Sequence, residues 1–352
     1  MTATVIQLIT SFLISFILVL ISIPVIVAIS KEKHLYDEPN ERRINKVVIP
    51  NLGGIAVFIG VSIATLLSLH KFEFIEFRYI QASMIILFFI GIKDDILTIS
   101  ARKKLIAQIL CALILIIPGE IRFTNLHGIF GLYEINYFAS ITITVLAIVA
   151  IINATNLVDG IDGLAASIGI FSTVIFGSKF LVTTNADYSI LCAALVGSLS
   201  AFLRFNVFGK KNKIFLGDTG SLLLGLLIAV QVIQYNEFAL TTTPQETAFS
   251  PVFSLAILAT PLADMIRVFS IRIFRGKSPF SPDMNHIHHR LLKLGFSHVS
   301  ATIVIVLTNC FIIALAFAFR FLNKHLLMIL LIAVIFFLLQ LPDFFIRTKK
   351  EK

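Results

Sequence analysis

Long apolar runs separated by short polar segments occupy the chain from end to end. They predict eleven membrane-spanning helices, at about residues 4–30, 52–69, 79–92, 104–118, 138–153, 164–181, 188–203, 220–235, 251–272, 299–319 and 325–346. A helix satisfies its own backbone hydrogen bonds in lipid, and about twenty apolar residues cross a bilayer. The pattern therefore predicts an all-α polytopic membrane protein, with residues 1–352 forming a single domain.

Composition supports this class, because 57% of the residues are hydrophobic and 14% are charged, against about 25% charged in soluble proteins. The first apolar run, Val5 to Ile29, is long and lacks a basic start and a small-residue cleavage site, so a cleaved signal peptide is not expected. Cys111, Cys192 and Cys310 lie within apolar runs and are expected to be core residues.

The distribution of Lys and Arg predicts the orientation. Of the 29 cationic residues, 23 fall on one side of the predicted membrane and six on the other. The positive-inside rule makes the richer side cytosolic, with the N-terminus outside and the C-terminus inside. The cytosolic loops are then 31–51, 93–104, 153–163, 204–219 and 273–298. Since topology explains the positive charge, it gives no support to nucleic-acid binding.

Polar motifs concentrate on the cytosolic side. On the opposite side, residues 121–135 alternate around Gly128 and Gly131, which predicts a small hairpin without a catalytic role. In the first cytosolic loop, Asp37 lies near a basic run that either binds phosphates or only fixes topology: Arg42, Arg43 and Lys46. Gly53-Gly54 is expected to open the second span closely against a neighbouring helix.

The segment 153–163, NATNLVDGIDG, carries the densest polar chemistry. Four of its polar residues recur at every third position: Asn153, Asn156, Asp159 and Asp162. On a helix or its first unwound turn, this spacing places two amides and two carboxylates along one side. Hard oxygen donors beside glycines at the mouth of a span favour a divalent cation and an anionic substrate. The alternative is a solvated loop between two helices.

Asp94 and Asp95 follow the third predicted span, where carboxylates without cations are costly. Adjacent helical residues point about 100° apart, so the two side chains are expected to contact different partners. Lys103 and Lys104 open the next span, where a lysine reaches a phosphate as a point charge. Interfacial solvation of both carboxylates is the alternative.

Two further aspartates lie near span ends. Asp218 and Thr219 precede the eighth span in the sequence FLGDTGSLLLG. Aspartate is a favoured helix N-cap, so capping alone would explain Asp218. A helix N-terminus with glycines and a hydroxyl also favours a phosphate, with the aspartate holding its magnesium. Asp264 and Arg267, three residues apart near the end of the ninth span, are expected to neutralise each other.

A short amphipathic helix is predicted between Pro282 and Gly295. Its apolar face is expected to carry Met284, Ile287, Leu291, Leu292 and Leu294, with His288 on the flank. The polar face is expected to carry His286, His289, Arg290 and Lys293 as phosphate or nucleotide contacts. A plain basic membrane-surface helix is the alternative, and zinc is disfavoured because no third or fourth ligand has suitable spacing.

Together, and in this order, the motifs resemble the polyprenyl-phosphate N-acetylhexosamine-1-phosphate transferase family. The resemblance is carried by Asp94-Asp95, Asn153-x-x-Asn-x-x-Asp-Gly-Ile-Asp-Gly163, Gly217-Asp-Thr-Gly-Ser221 and His286-Ile-His-His289. Pro50-x-x-Gly-Gly54 fits as well, and the similarity spans about residues 35 to 295. The histidine run is similar to that of members that prime surface polysaccharide or teichoic acid linkers. The enzyme that transfers phospho-MurNAc-pentapeptide has a different run there.

The resemblance implies transfer of an N-acetylhexosamine-1-phosphate, GlcNAc-1-phosphate above all, from a UDP-sugar to undecaprenyl phosphate with release of UMP. It implies Mg²⁺ as cofactor, with Mn²⁺ as a substitute, and a cytoplasmic-membrane enzyme that initiates cell-envelope polysaccharide such as O-antigen. Another UDP-acetamido sugar, of the QuiNAc, FucNAc or MurNAc-pentapeptide type, stays open. So does a homodimer.

The resemblance also implies roles for individual residues. Asp218 and Asn156 are expected to bind magnesium at the pyrophosphate, and Asp94 to orient or deprotonate the lipid phosphate with support from Asp95 and Asp159. The residues expected to bind substrate are Lys104 at the diphosphate, Asn153, Asp162 near the uracil or ribose, and His286, His289 and Arg290 at phosphates or the sugar.

A secondary transporter is the alternative from a different class, because broken helices and buried carboxylates also mark transport sites. A transporter predicts internal repeats and charged residues near span centres. Here the carboxylates cluster at one predicted membrane face, which favours an enzyme.

Overall fold

The computed structural model describes residues 2–35, 49–69, 74–183, 185–279 and 283–350. Within these ranges the chain forms thirteen helices and one two-stranded hairpin: α1 (Thr2–Glu32), α2 (Gly53–Ser68), α3 (Ile75–Leu97), α4 (Ala101–Ile116), β1 (Asn125–Ile129), β2 (Leu132–Glu134), α5 (Tyr137–Val158), α6 (Leu164–Val182), α7 (Ala186–Phe208), α8 (Gly217–Ala239), α9 (Pro244–Ile257), α10 (Ala259–Phe274), α11 (Ile287–Lys293), α12 (His298–Ala318) and α13 (Lys324–Lys350). The predicted all-α polytopic fold is confirmed.

Most of the helices have the length of membrane spans. In the part of the chain that the structure describes, eight helices are long and apolar enough to cross a bilayer singly, and the bent pair α9–α10 adds a ninth if the two helices form one broken span rather than a re-entrant loop. α2 and α4 have 16 residues each, or roughly 24 Å at 1.5 Å per residue, which is short of a hydrocarbon core of about 30 Å. The count of eleven spans and their orientation stay predictions.

Helix α8 lies at the centre of the bundle. It contacts α2, α3, α5, α6 and α9, and nearly all of its residues are buried. A helix that is apolar on every side is stable only when other helices surround it. The N-terminal end of α8, which carries Asp218, is therefore fixed by its neighbours.

A backbone junction joins the start of α2 to the start of α8. The Gly53 and Gly54 amides donate to the carbonyl oxygens of Phe215 and Leu216 at 2.9 and 2.8 Å, and the Phe215 amide donates to Pro50 O at 2.8 Å. A Cβ on Gly54 would lie 2.1 Å from the backbone nitrogen of Gly220. The predicted close approach of Gly53-Gly54 to a neighbouring helix is confirmed.

We expect Gly54→Ala to destabilise the protein, because the added methyl group meets backbone atoms that no side-chain rotation moves away. Overpacking of this kind typically costs about 1–3 kcal/mol, so the midpoint of thermal unfolding in detergent should fall by several degrees. Gly131→Asn is the control, since a Cβ there has nothing within 4 Å and asparagine tolerates a positive φ. Equal midpoints for the two variants would contradict the steric argument.

The predicted ninth span is not straight. α9 and α10 meet at Leu258 with a bend of 64°. Pro261 lies in the first turn of α10 and lacks an N–H group to continue the hydrogen bonds of α9. Asn309 of α12 satisfies the freed backbone by donating to Ile257 O at 2.7 Å and accepting from Thr260 N at 3.2 Å. The span predicted at about 251–272 therefore corresponds to a bent pair of helices.

The predicted hairpin is confirmed as the antiparallel pair β1–β2. Gly128 and Gly131 both have positive φ, and the Gly131 amide donates to Gly128 O at 3.1 Å. The His127 ring of this hairpin lies 2.9 Å from Thr247 O of α9. The hairpin therefore packs on α9, at the end of the bundle away from the acidic motifs.

Candidate active site

Four helix ends meet at one end of the bundle and bring together four of the predicted site residues. Asp94 lies in the last turn of α3, Lys104 in the first turn of α4, Asn156 in the last turn of α5 and Asp218 in the first turn of α8. The C-terminal ends of α3 and α5 therefore lie next to the N-terminal ends of α4 and α8. The convergence of these side chains was predicted, and the structure shows it.

Lys104 is the central cation of this group. Its ammonium contacts Asp94 Oδ2 and lies 2.9 Å from Asp218 Oδ1. Asn156 Nδ2 donates to the same Asp218 oxygen at 2.7 Å and to Ser221 Oγ at 2.8 Å. Asp94 also accepts from the Ile99 amide at 2.6 Å. Two carboxylates, one amide and one lysine thus face a common space.

Asp95 contacts a different set of atoms from Asp94. It accepts from the Asp218 amide at 2.7 Å, from the Thr219 amide at 3.0 Å and from Thr219 Oγ1 at 2.5 Å. These are free N–H groups at the start of α8, which lack partners within their own helix. Asp95 therefore caps α8 from the neighbouring α3, a positioning role that fixes Asp218, while its predicted catalytic role stays a prediction.

The alternative that Asp218 is itself the helix cap was wrong. α8 begins at Gly217, and its N-cap position, Leu216, makes no side-chain capping bond. Asp218 is already inside the first turn, and Asp95 satisfies the backbone beside it. The Asp218 carboxylate is consequently available to Lys104 and Asn156.

Asp159 is the C-cap residue that follows α5, and it lies beside Gly217 at the start of α8. Burial raises the pKa of Asp159 to about 8, and the Asp218, Asp95 and Asp162 carboxylates act in the same direction, while a hydrogen bond with the Gly217 backbone opposes them. The protonated form is therefore favoured at neutral pH when no cation neutralises the group.

This pKa predicts a pH dependence of stability. Because the folded pKa of Asp159 exceeds its ordinary value of 3.8, the folded state holds a proton that the unfolded chain releases, and stability falls as pH rises from about 4 to about 8. We expect Asp159→Asn to remove this loss. In detergent with EDTA, its unfolding midpoint should rise relative to wild type between pH 5 and pH 8. A constant difference across that range would contradict the prediction.

The predicted row of four polar side chains in 153–163 does not form. Asn153 donates to Gln108 Oε1 at 2.7 Å, beside α4. Asp162 accepts from Lys213 Nζ at 2.7 Å, and its Oδ2 lies 3.2 Å from His298 Nδ1. α5 ends at Val158 and the chain then turns, so helical spacing no longer applies to the two aspartates. Asn153 and Asp162 thus have partners other than those of the group around Lys104.

The predicted faces of the histidine-bearing helix are confirmed in part: Ile287 and Leu291 of the apolar face are buried in an apolar cluster, but the polar face differs from the prediction. α11 covers only Ile287–Lys293, and Pro282 lies outside the described residues. His286 and Arg290 are buried rather than exposed, because α12 and α13 pack around α11. His289 is half-buried and Lys293 is exposed, while Met284 of the predicted apolar face is exposed.

His288 attaches α11 to the turn that follows Asp159. A Cβ on Gly160 would lie 2.2 Å from His288 Nε2, and neither ring nitrogen has a hydrogen-bond partner among the described residues. Burial lowers the pKa of His288 to about 3, and His289 and His286 act in the same direction. The ring is therefore neutral at neutral pH.

The structure adds residues that sequence reasoning did not assign. Ser221 was within reach of such reasoning, because it follows Asp218 by three residues and so shares its helix face. Lys213, His298 and Asp343 belong to distant segments, and only the fold brings them near the motifs. The first cytosolic loop, with Asp37 and the basic run Arg42, Arg43 and Lys46, lies outside the described residues, so the choice between phosphate binding and topology stays open.

The residues at the centre fit Mg²⁺. Asp94, Asp218 and Asn156 supply hard oxygen donors, and the Lys104 ammonium between the two carboxylates shows that a cation suits this space. In the described parts of the chain no three His, Cys, Asp or Glu side chains form a metal-binding group. A magnesium ion here would take its other ligands from phosphate and water, as is common for this ion.

The fold and site define a class: a multi-pass helical membrane protein with an acidic, amide and lysine centre at one end of its bundle. The chain belongs to glycosyl transferase family 4, whose family model matches residues 77–236. This confirms the family resemblance of the motifs.

Named relatives extend the similarity over most of the chain. The undecaprenyl-phosphate alpha-N-acetylglucosaminyl 1-phosphate transferase of Escherichia coli strain K12 is 31% identical over 291 residues, 79% of this chain and 75% of the relative. The enzyme of that name from Yersinia pestis is 33% identical over 280 residues, 78% and 73% of the two chains. The probable undecaprenyl-phosphate N-acetylglucosaminyl 1-phosphate transferase of Bacillus subtilis strain 168 is 32% identical over 309 residues, 86% and 82%.

Proposed function

We propose that this protein transfers GlcNAc-1-phosphate from UDP-GlcNAc to undecaprenyl phosphate and releases UMP. The product would be a lipid-diphospho-sugar that initiates cell-envelope polysaccharide synthesis. The reaction would take place at the cytosolic face of the cytoplasmic membrane, because the site lies at the end of the bundle where most Lys and Arg residues fall. The names of the relatives support undecaprenyl phosphate as the acceptor and N-acetylglucosaminyl 1-phosphate as the transferred group.

The observation that carries the proposal is the convergence of Asp94, Lys104, Asn156 and Asp218 from four separate helix ends. The proposed reaction joins two anionic substrates, a nucleotide diphosphate and a lipid phosphate. Such a reaction needs positioning and neutralisation of charge more than bond energy, since one phosphoanhydride replaces another. Lys104 would neutralise substrate charge, and the carboxylates of Asp94 and Asp218 would bind a cation that does the same.

Asp218 and Asn156 would hold Mg²⁺ at the diphosphate, where the bound ion would neutralise charge on the departing UMP. The Asn156 amide nitrogen faces Asp218 in this structure, and turning the amide over would present its oxygen to the same place. Asp95 maintains the position of Asp218 through the two amides at the start of α8. Lys104 would move from Asp94 and Asp218 to the substrate phosphates.

Asp94 is proposed to orient the lipid phosphate for direct attack on the sugar-linked phosphorus. A phosphate monoester has a second pKa of about 6, so the lipid phosphate is mostly dianionic at cytosolic pH. It therefore needs little deprotonation, and a covalent phosphosugar on Asp94 is not required. Asp159 would support this arrangement from the neighbouring helix end.

Purified protein in detergent with undecaprenyl phosphate tests the proposal. UMP release and a lipid product of the mass of undecaprenyl-diphospho-GlcNAc are expected with UDP-GlcNAc and Mg²⁺. A panel with UDP-GalNAc, UDP-QuiNAc, UDP-FucNAc and UDP-MurNAc-pentapeptide identifies the sugar. If only another UDP-sugar gives a lipid product, that sugar takes the place of GlcNAc in the proposal. If no UDP-sugar leads to release of UMP, the proposed transferase activity is wrong.

A transporter is disfavoured by the position of the charges. Asp94, Asn156 and Asp218 lie in first or last turns of their helices, away from the middle of the bundle, where a transport site for substrate and ion would lie. The same UMP assay separates the two classes, because a transporter releases no UMP.

A further inference from the structure

Helix α11 depends on its neighbours for its position. It contains seven residues, fewer than an isolated helix needs to be stable in water. Ile287 and Leu291 anchor it in an apolar cluster that includes residues of α10, α12 and α13. Apolar contacts alone leave a short helix free to rotate and slide, so directional polar contacts must fix its orientation.

One such contact holds the N-terminal end of α11. Asp264 of α10 accepts from the Ile287 amide at 3.0 Å, and its other oxygen lies 2.8 Å from His286 Nδ1. Arg267 of the same helix lies 3.3 Å from Asp264, as the sequence spacing predicted, and also donates to Asn285 O just before α11. This end of α11 is therefore fixed to α10.

The middle of α11 is held by α13 through Arg290, the fourth of its seven residues. Arg290 has 4% of its surface exposed, and its Nη1 forms an ion pair with Asp343 Oδ2 of α13. Its Nη2 donates to Leu339 O, one turn earlier in α13, at 2.6 Å. A buried guanidinium needs a counter-charge, and Asp343 supplies it.

The orientation of α11 matters to the candidate active site. His288 packs against Gly160 in the turn after Asp159, and the ring of His289 lies 4.2 Å from that of His288. A rotation of α11 would move both rings relative to the turn. Arg290 itself contacts Asp343 and Leu339 of α13.

We propose that Asp343 is a positioning residue for the transfer reaction: by holding Arg290, it fixes α11 so that His288 keeps its place against Gly160 and His289 keeps its place beside His288. The role assigned to Arg290 changes accordingly, from a substrate contact to the partner of Asp343. The inference rests on the proposed function, because its main readout is transferase activity.

A double-mutant cycle with Arg290→Ala, Asp343→Ala and the double variant tests the pair. If the two residues act as one unit, each variant should lose about tenfold or more in kcat/KM, and the double variant should lose no more than either single variant. Asp343→Glu should recover most of the activity because it keeps the charge. Glu120→Ala, which removes an exposed ion pair with Arg122 at the other end of the bundle, is the matched control and should resemble wild type.

Direct substrate binding by Arg290 gives a different pattern. Arg290→Ala would then raise the KM for UDP-GlcNAc, while Asp343→Ala would stay within about twofold of wild type, and this result would overturn the proposal. If Asp343→Ala fails to fold, the kcat/KM values of Asp343→Glu and Asp343→Asn are compared instead. Asp343→Glu should be the more active variant, since it alone keeps the charge. Equal activity of these two, or a more active Asn variant, would also overturn it.

Failure of the proposed function looks different from failure of this inference. A wild-type protein that releases no UMP with any UDP-sugar refutes the transferase. An active wild-type protein with Asp343 variants of unchanged kcat/KM refutes the positioning role alone. Non-additive changes of the unfolding midpoint within the same cycle would show the ion pair independently of activity.

Discussion

Asp218→Ala is expected to abolish turnover, with kcat reduced roughly a thousandfold or more. The Asp218 carboxylate is the shared partner of Lys104 and Asn156. Its loss removes the proposed magnesium ligand and leaves Asp94 as the carboxylate that contacts Lys104. UMP release measured against Mg²⁺ concentration checks this prediction, and the remaining activity should no longer depend on Mg²⁺.

Glu120→Ala is again the control, because it removes a carboxylate at the opposite end of the bundle. A scaffold that only binds lipid would tolerate the loss of Asp218. Mg²⁺-dependent turnover close to that of the control would therefore contradict the assigned role of Asp218. The Asp218→Asn variant, which keeps the shape of the side chain, separates loss of charge from loss of packing.

Asp94→Asn is expected to lower kcat about a hundredfold while the affinity for UDP-GlcNAc changes only about threefold. Asp94 contacts Lys104 and the Ile99 amide and is proposed to orient the lipid phosphate, so its charge matters in the transition state more than in nucleotide binding. Steady-state rates and calorimetric binding of UDP-GlcNAc give the two values.

The neighbouring Asp95→Asn variant is the informative comparison. Asp95 caps α8, so its loss should reduce stability together with activity, whereas Asp94→Asn should keep the unfolding midpoint of wild type. Near-normal turnover of Asp94→Asn would refute its role.

Local geometry explains which site features were predictable. The 100° step between adjacent helical residues predicted separate partners for Asp94 and Asp95, and the structure shows Lys104 for one and the start of α8 for the other. The three-residue spacing of Asp264 and Arg267 likewise predicted their contact. Each of these inferences needed only the shape of one helix.

Other predictions failed where a second element decided the outcome. Capping of α8 by Asp218 was a sound local expectation, but Asp95 of another helix takes that place. The row of polar residues in 153–163 required helical spacing up to Asp162, but α5 ends at Val158. Two residues of the polar face predicted for α11, His286 and Arg290, are buried, and Arg290 is buried because Asp343 of α13 compensates its charge.

The sequence by itself determined the class of this protein, the helices, the motifs and the family, because hydrophobic length and residue type act within a single segment and leave a readable pattern. Only the tertiary structure decided which motif residues contact one another, where α9 and α10 bend, and which polar groups cap, neutralise or position others. Those outcomes depend on contacts between residues such as Asp343 and Arg290, 53 positions apart, and neither local spacing nor propensity specifies such a contact.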